Sequence, residues 1–148
     1  MLDYQGWIII QDDPTEEMPE GKSFDSRVKE IVERIDLLRA EYDAAISHYG
    51  INGHRRIMLC GASNRKDFLF CEVIRLYECV ASLLPGSHGI LYYLDTEDQQ
   101  YYDAYRCLIL RMGRVTTEMD NFFSPVSEKV DGEDTGFSDR PDFTIATN

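Results

Sequence analysis

The chain has 148 residues, of which 43% are hydrophobic and 28% charged, and a net charge of -12. That size suits one domain, and that composition suits a globular chain rather than a disordered one. The acidic balance argues against a nucleic-acid binder or a partner of anionic membranes, both of which need clustered Lys and Arg.

Leu2 to Ile10 reads as a strand, because Trp7-Ile8-Ile9-Ile10 is β-branched and aromatic with both faces apolar. Such a strand is expected inside a sheet covered at least partly on each side. Asp12 to Lys22 is a loop, marked by Pro14, Pro19 and Gly21. A helix is predicted over 24–49 from Phe24, Val28, Ile31, Ile35, Leu38, Tyr42, Ile46 and Tyr49, with Ser23 or Asp25 as cap and Gly50 as terminator. Lys29, Glu30, Glu33, Arg34 and Glu41 occupy its solvent face. Asn52-Gly53 is a turn signal, and Ile57 to Gly61 a short buried strand. Asn64 reads as the cap of a second helix over about 66–84, closed by Pro85-Gly86. Ile90 to Leu94 is a central strand. Tyr102 to Leu110 and Val115 to Glu118 form a hairpin through Met112-Gly113. The expected fold class is α+β, order β-α-β-α-β-β-β, with two amphipathic helices packed against a sheet of about five strands. Residues 1–126 make the single domain, and 127–148 an acidic, poorly ordered tail.

The charge is uneven. Residues 1–20 carry -6, residues 21–92 carry +1 and residues 93–148 carry -7. The excess falls in loops: Asp12 to Glu20, Asp95 to Asp103, and the segment after Glu118. Two readings stand side by side: solvated loops that keep the chain soluble, or a negative surface for a basic partner. The segment Asp95-Thr96-Glu97-Asp98, with Tyr101, Tyr102 and Asp103, combines acids with aromatic anchors and is the first candidate contact. Asp12, Asp13, Glu16 and Glu17 form a second, without an aromatic anchor.

Enzyme signatures are weak. Cys60-Gly61-Ala62-Ser63-Asn64, followed by Arg65-Lys66, resembles a phosphate loop only in outline, having one glycine. Ser63 lacks nucleophile-elbow glycines, and His48, His54 and His88 are scattered. Cys60, Cys71, Cys79 and Cys107 form no C-x-x-C pair and read as reduced, buried small hydrophobes, so no metal or other cofactor is expected. Asp95 to Asp98 and Asp131-Gly132-Glu133-Asp134 lack the calcium-loop pattern. No apolar run is long enough to span a membrane and no secretory leader is apparent, so a cytoplasmic location is expected.

Several pieces together resemble a known family. Asp3-Tyr4-Gln5-Gly6-Trp7 is similar to the acidic-Tyr-x-Gly-Trp opening of the Immunity protein 7 family of bacterial polymorphic toxin systems. Pro85-Gly86-Ser87-His88-Gly89-Ile90-Leu91-Tyr92 looks like its helix-end turn and strand. Asp95 to Asp98, Met112-Gly113-Arg114 and Phe123-Ser124-Pro125 follow in the family's order, so that the resemblance covers about 2–134. It implies a small cytosolic protein that binds a cognate toxin domain, often a nuclease, and blocks it; the acidic charge of the chain adds the expectation that the toxin is basic and bound one-to-one. The family supplies no catalytic motif, so no residue inherits a catalytic role. The rival readings are a small hydrolase or transferase using the Cys60–Lys66 turn, and an acidic adaptor for a basic protein.

Overall fold

A computed structural model describes residues 1–12, 23–64, 67–122, 124 and 126. Its elements are β1 (Leu2–Ile10), α1 (Phe24–Tyr42), β2 (Ala45–Ile51), β3 (His54–Ser63), α2 (Phe68–Leu83), β4 (His88–Asp95), β5 (Arg106–Arg111) and β6 (Arg114–Met119). The six strands form one antiparallel sheet in the order β2-β3-β1-β4-β5-β6, with two helices against it. The α+β class is as expected, with one strand more.

The extra strand corrects the long first helix. α1 stops at Tyr42, where Asp43 takes a left-handed conformation (φ 51°) as C-cap, and Gly50 terminates nothing. Ala45–Ile51 pairs instead with β3 through the turn Asn52-Gly53, both of whose residues have positive φ (50° and 78°). That is the two-residue hairpin turn Asn-Gly favours, because its twist matches that of the strands. β3 is accordingly longer than expected, starting at His54. The chain from Tyr101 to Tyr105 is not strand, and β5 begins at Arg106. Ser23 caps α1 by accepting from the Ser26 N–H (3.3 Å). Asp67, not Asn64, caps α2 by accepting from the Phe70 N–H (2.9 Å).

The core lies between the helices and one sheet face. Leu2, Tyr4, Ile8 and Ile10 of β1 alternate inward and meet Ile57 and Leu59, Leu91 and Tyr93, and Leu108 and Leu110 from other strands. Val28, Ile31, Ile35 and Leu38 of α1, and Phe70, Val73, Leu76, Tyr77 and Val80 of α2, close over them. Gly6 occupies the one inward position of β1 without a side chain. There the Tyr77 hydroxyl reaches the sheet and donates to the Ile90 carbonyl (2.8 Å). Burial drives its pKa far above the ordinary value, so it stays a neutral donor.

The other sheet face carries no helix among the described residues, contrary to the two-sided cover expected for β1. Trp7 lies on that open face, opposite Met58 on β3 and Ile90 on β4 and edge-on to His88 (6.1 Å between ring centres). It is 37% exposed. Because much of the ring stays in water, Trp7→Ala should cost about 1–2 kcal/mol, well below the roughly 3–5 of a fully buried ring. Chemical denaturation monitored by far-ultraviolet circular dichroism checks this, and a loss of 4 kcal/mol would show the ring to be covered.

Of the cysteines, Cys107 is buried and Cys79 partly so, but Cys60 and Cys71 are exposed, which corrects the expectation of four buried thiols. All four are free thiols. The segment 127–148 lies outside the described residues.

Candidate partner-binding surface

The first candidate contact is the connection from β4 to β5. Asp95 ends β4 facing inward and is only 4% exposed. One of its oxygens accepts the Glu97 N–H (3.1 Å), the local turn an Asp side chain favours. Asp98 does the same for the N–H groups of Gln100 (3.0 Å) and Tyr101 (3.1 Å). Between the two carboxylates lies Arg106, the first residue of β5, 3.0 Å from Asp98 and 4.0 Å from Asp95. Its guanidinium also covers the rings of Tyr93 (4.8 Å) and Tyr101 (5.9 Å). Thr96 ties the connection to the start of β1 through its N–H to the Met1 carbonyl (2.9 Å).

The candidate residues therefore divide. Asp95, Asp98 and Tyr101 build the loop around an internal cation. Glu97 and Tyr102 face solvent, Tyr102 being 54% exposed. Asp103 is half-buried, and its carbonyl accepts from the Val126 N–H (2.7 Å), which holds the chain after β6 against this connection. Of the candidates on this connection, Glu97 and Tyr102 are exposed and Asp103 partly so.

The second candidate is less complete. Asp12 pairs with Arg27 (3.0 Å), a buried residue of α1 that also donates to the Leu83 carbonyl (2.9 Å). Asp12 thus secures α1 to the end of β1. Asp13, Glu16 and Glu17 lie outside the described residues. On α1, Arg34 is not on a free solvent face: it spans to Glu72 of α2 (2.8 Å), which also holds Arg75.

Cys60 to Ser63 belong to β3 rather than to a turn, and a Cβ on Gly61 would fall 2.3 Å from the Tyr4 hydroxyl. Packing under an aromatic ring accounts for this glycine without a phosphate. Arg65 and Lys66 lie outside the described residues, as does the cluster Asp131 to Asp134. His48 and His54 stand on the β2–β3 hairpin, and His88 on the open face beside Trp7. Burial pushes the Cys107 thiol up, which opposes thiolate chemistry. Tyr92, hydrogen-bonded to Cys107 and partly desolvated, is pushed up to about 12. Among the described residues no three His, Cys, Asp or Glu side chains come together as metal ligands. Among the same residues no helix is long and apolar enough to cross a membrane.

Sequence reasoning missed Arg106, Arg27 and the strand β2. For the two arginines a signal existed. Arg106 shares the inward alternation of Leu108 and Leu110, and Arg27 lies one residue from Val28 on the apolar stripe of α1. A cation in an inward position demands an anion nearby, and Asp95, Asp98 and Asp12 were the anions at hand.

No match was found among curated proteins or among solved structures. The family model described as Immunity protein 7 matches residues 1–132, and it takes in every strand and both helices. The chain therefore belongs to the Immunity protein 7 family and is an immunity protein of a toxin system, with a toxin as its partner.

Proposed function

We propose that the protein neutralises one cognate toxin domain, a basic nuclease, by tight one-to-one binding and without chemistry of its own. The observation that carries the reading is the family match over 1–132 on a chain of net charge -12. A nuclease site is basic because it binds phosphate, and an acidic inhibitor competes for the same field. The contact assigned to the toxin is the β4–β5 connection, with Glu97, Tyr102 and Asp103 at its surface. Asp12, Asp13, Glu16 and Glu17 contribute to long-range attraction. The protein acts in the cytoplasm, where it meets the toxin.

Co-expression with the cognate toxin domain, read as growth, tests protection directly. Ser63→Ala and His88→Ala should protect as the natural chain does; loss of protection by a folded variant that still binds toxin would favour an enzyme. The charge argument has its own test. Steered association reaches about 10⁸–10⁹ M⁻¹s⁻¹ at low salt, against about 10⁵–10⁶ for an unsteered pair. Stopped-flow association should therefore slow steeply as salt rises, and neutralising Asp13, Glu16 and Glu17 together, with Asp12 kept as the partner of buried Arg27, should flatten that slope with little change in dissociation. A salt-independent association rate would sink the electrostatic account.

A further inference from the structure

The strand registers align the outward side chains of the sheet into rows across its open face. One row holds Tyr49, Arg56 and Ile9, then His88 and Arg111 one step past the pair Gly89–Leu110, then Arg114 opposite Arg111. The next row, about 7 Å along the strands, holds Met58, Trp7, Ile90 and Ile109. Arg56, His88, Arg111 and Arg114 are exposed. Among the described residues no carboxylate comes within ion-pair distance of the three arginines. The acids that the strands place on this face are Asp3 and Glu118, both on the far side of the apolar row. A chain of net charge -12 thus sets a cationic row beside an uncovered apolar one.

The composition of this face is that of an interface centre, where Trp, Tyr, Met and Arg are enriched and Lys is depleted. No strand of the sheet contains a lysine. Beside Trp7 the face dips into a trough of about 390 Å³, lined by Gln5, Trp7, Ser47, Met58, Ile90 and Tyr92, which can receive apolar side chains. The arginines next to it present planar forks of donors that match the two oxygens of a carboxylate.

We infer that the open face is a second toxin contact, taking an element of the toxin domain that bears carboxylates beside apolar side chains: the apolar groups enter the trough at Trp7, and the carboxylates meet Arg56, Arg111 and Arg114. This rests on the immunity reading. Local charge selects the occupant. Three arginines repel a basic segment. A second copy of this chain offers the row little, since its open face supplies only Asp3 and Glu118, and its Asp95 and Asp98 are held by Arg106. A nucleic acid would meet the field of the whole acidic chain. The cationic row lies at the start of β4 and the acidic connection at its end. The connection answers the toxin's basic cleft and the row an acidic patch elsewhere on it, which fixes the toxin in one orientation.

The test uses the full chain and the cognate toxin domain. Trp7 is the chain's one tryptophan, so in the isotope-labelled chain a single indole N–H resonance reports this face. That resonance should shift on saturation with unlabelled toxin. Arg111→Glu with Arg114→Glu should raise Kd at least about tenfold, even though it makes the chain more acidic toward a basic toxin. Lys29→Glu with Arg39→Glu, on α1, changes the net charge equally and should bind as the natural chain does or more tightly. A resonance unmoved in the complex overturns the contact and leaves the immunity reading standing. So does natural affinity in the Arg111–Arg114 variant, or equal weakening by both pairs. A resonance that shifts with protein concentration alone assigns the face to a second copy, and one that shifts with a DNA duplex in place of toxin assigns it to nucleic acid. One that shifts in the free chain on Phe137→Ser with Phe143→Ser, or on neutralising Asp13, Glu16 and Glu17, assigns it to the chain's own segments. Each of these overturns the proposal. No complex at all from the natural chain overturns the immunity reading itself, and this contact with it. The resonance measurement needs no variant, so a folding failure in the Arg111–Arg114 variant does not spare the proposal.

Discussion

Gly6→Ala should destabilise the protein by about 3 kcal/mol, visible as a fall in melting temperature on the order of 10 °C. A Cβ at this position would stand 2.5 Å from the Ile90 carbonyl oxygen, 2.5 Å from the Tyr77 hydroxyl and 2.9 Å from a Leu91 methyl. The first is backbone of a paired central strand and cannot move without opening the β1–β4 ladder. The second is the buried hydroxyl that secures α2 to the sheet. Tyr77→Phe alone should cost about 1–1.5 kcal/mol, the usual net worth of one such hydrogen bond. In the double variant the loss should be less than the sum of the two, because one collision is gone, yet still larger than for Tyr77→Phe, because the carbonyl remains. Thermal melts of the four proteins decide it. A Gly6→Ala protein that melts with the natural chain would show that β1 and β4 can separate at no cost. Gly6-Trp7 thus combines two unlike demands: a gap on the helix side for Tyr77, and an aromatic on the open side.

The sheet was legible where one signal acted alone. β1, β4 and the Met112-Gly113 hairpin stand where continuous apolar runs and turn chemistry placed them. The boundary between α1 and β2 was not legible by period alone. Tyr42, Ala45, Ile46 and Tyr49 keep helical spacing, yet only Ile46 of Ala45–Ile51 is buried. What decided the local structure was the hairpin turn at Asn52-Gly53, whose geometry draws the residues before it into a strand against β3. Asp43 then serves as the left-handed break, a role Asp fills at modest cost.

For the binding surface, composition located the acids but could not say which of them were already engaged. A carboxylate in a loop looks the same in sequence whether it faces water or an internal cation. Arg106 settles this for Asp95 and Asp98, through a pairing that follows from the β4–β5 register. That β2 is an edge of the sheet was invisible for a further reason: an edge is a property of strand order, which no single segment encodes.

The same division yields the second large effect. Arg106→Ala should cost about 3–5 kcal/mol, because it strands the carboxylate of Asp95, whose side chain is only 5% exposed, without a cation. It also removes the stacking over Tyr93 and Tyr101 that holds the connection down. Replacing Arg106 and Asp95 together, as in Arg106→Met with Asp95→Asn, should recover part of that loss, since Asp95 is then no longer an unpaired buried charge, while the more exposed Asp98 still loses its cation. Toxin binding by this double variant is informative in its own right. If the connection is a contact, a loop freed of Asp98's partner should present Tyr102 and Glu97 less firmly, and the complex should dissociate faster even with stability restored. Glu97→Gln and Tyr102→Ala should do the reverse of Arg106→Ala. Both residues are exposed, so melting should stay within about 0.5 kcal/mol of the natural chain while dissociation accelerates. Biolayer interferometry against the toxin domain, set beside thermal melts of each variant, separates the two classes. If Glu97→Gln and Tyr102→Ala left dissociation untouched while Arg106→Ala changed only stability, the β4–β5 connection would be a structural brace alone. The toxin contact would then lie elsewhere on the chain.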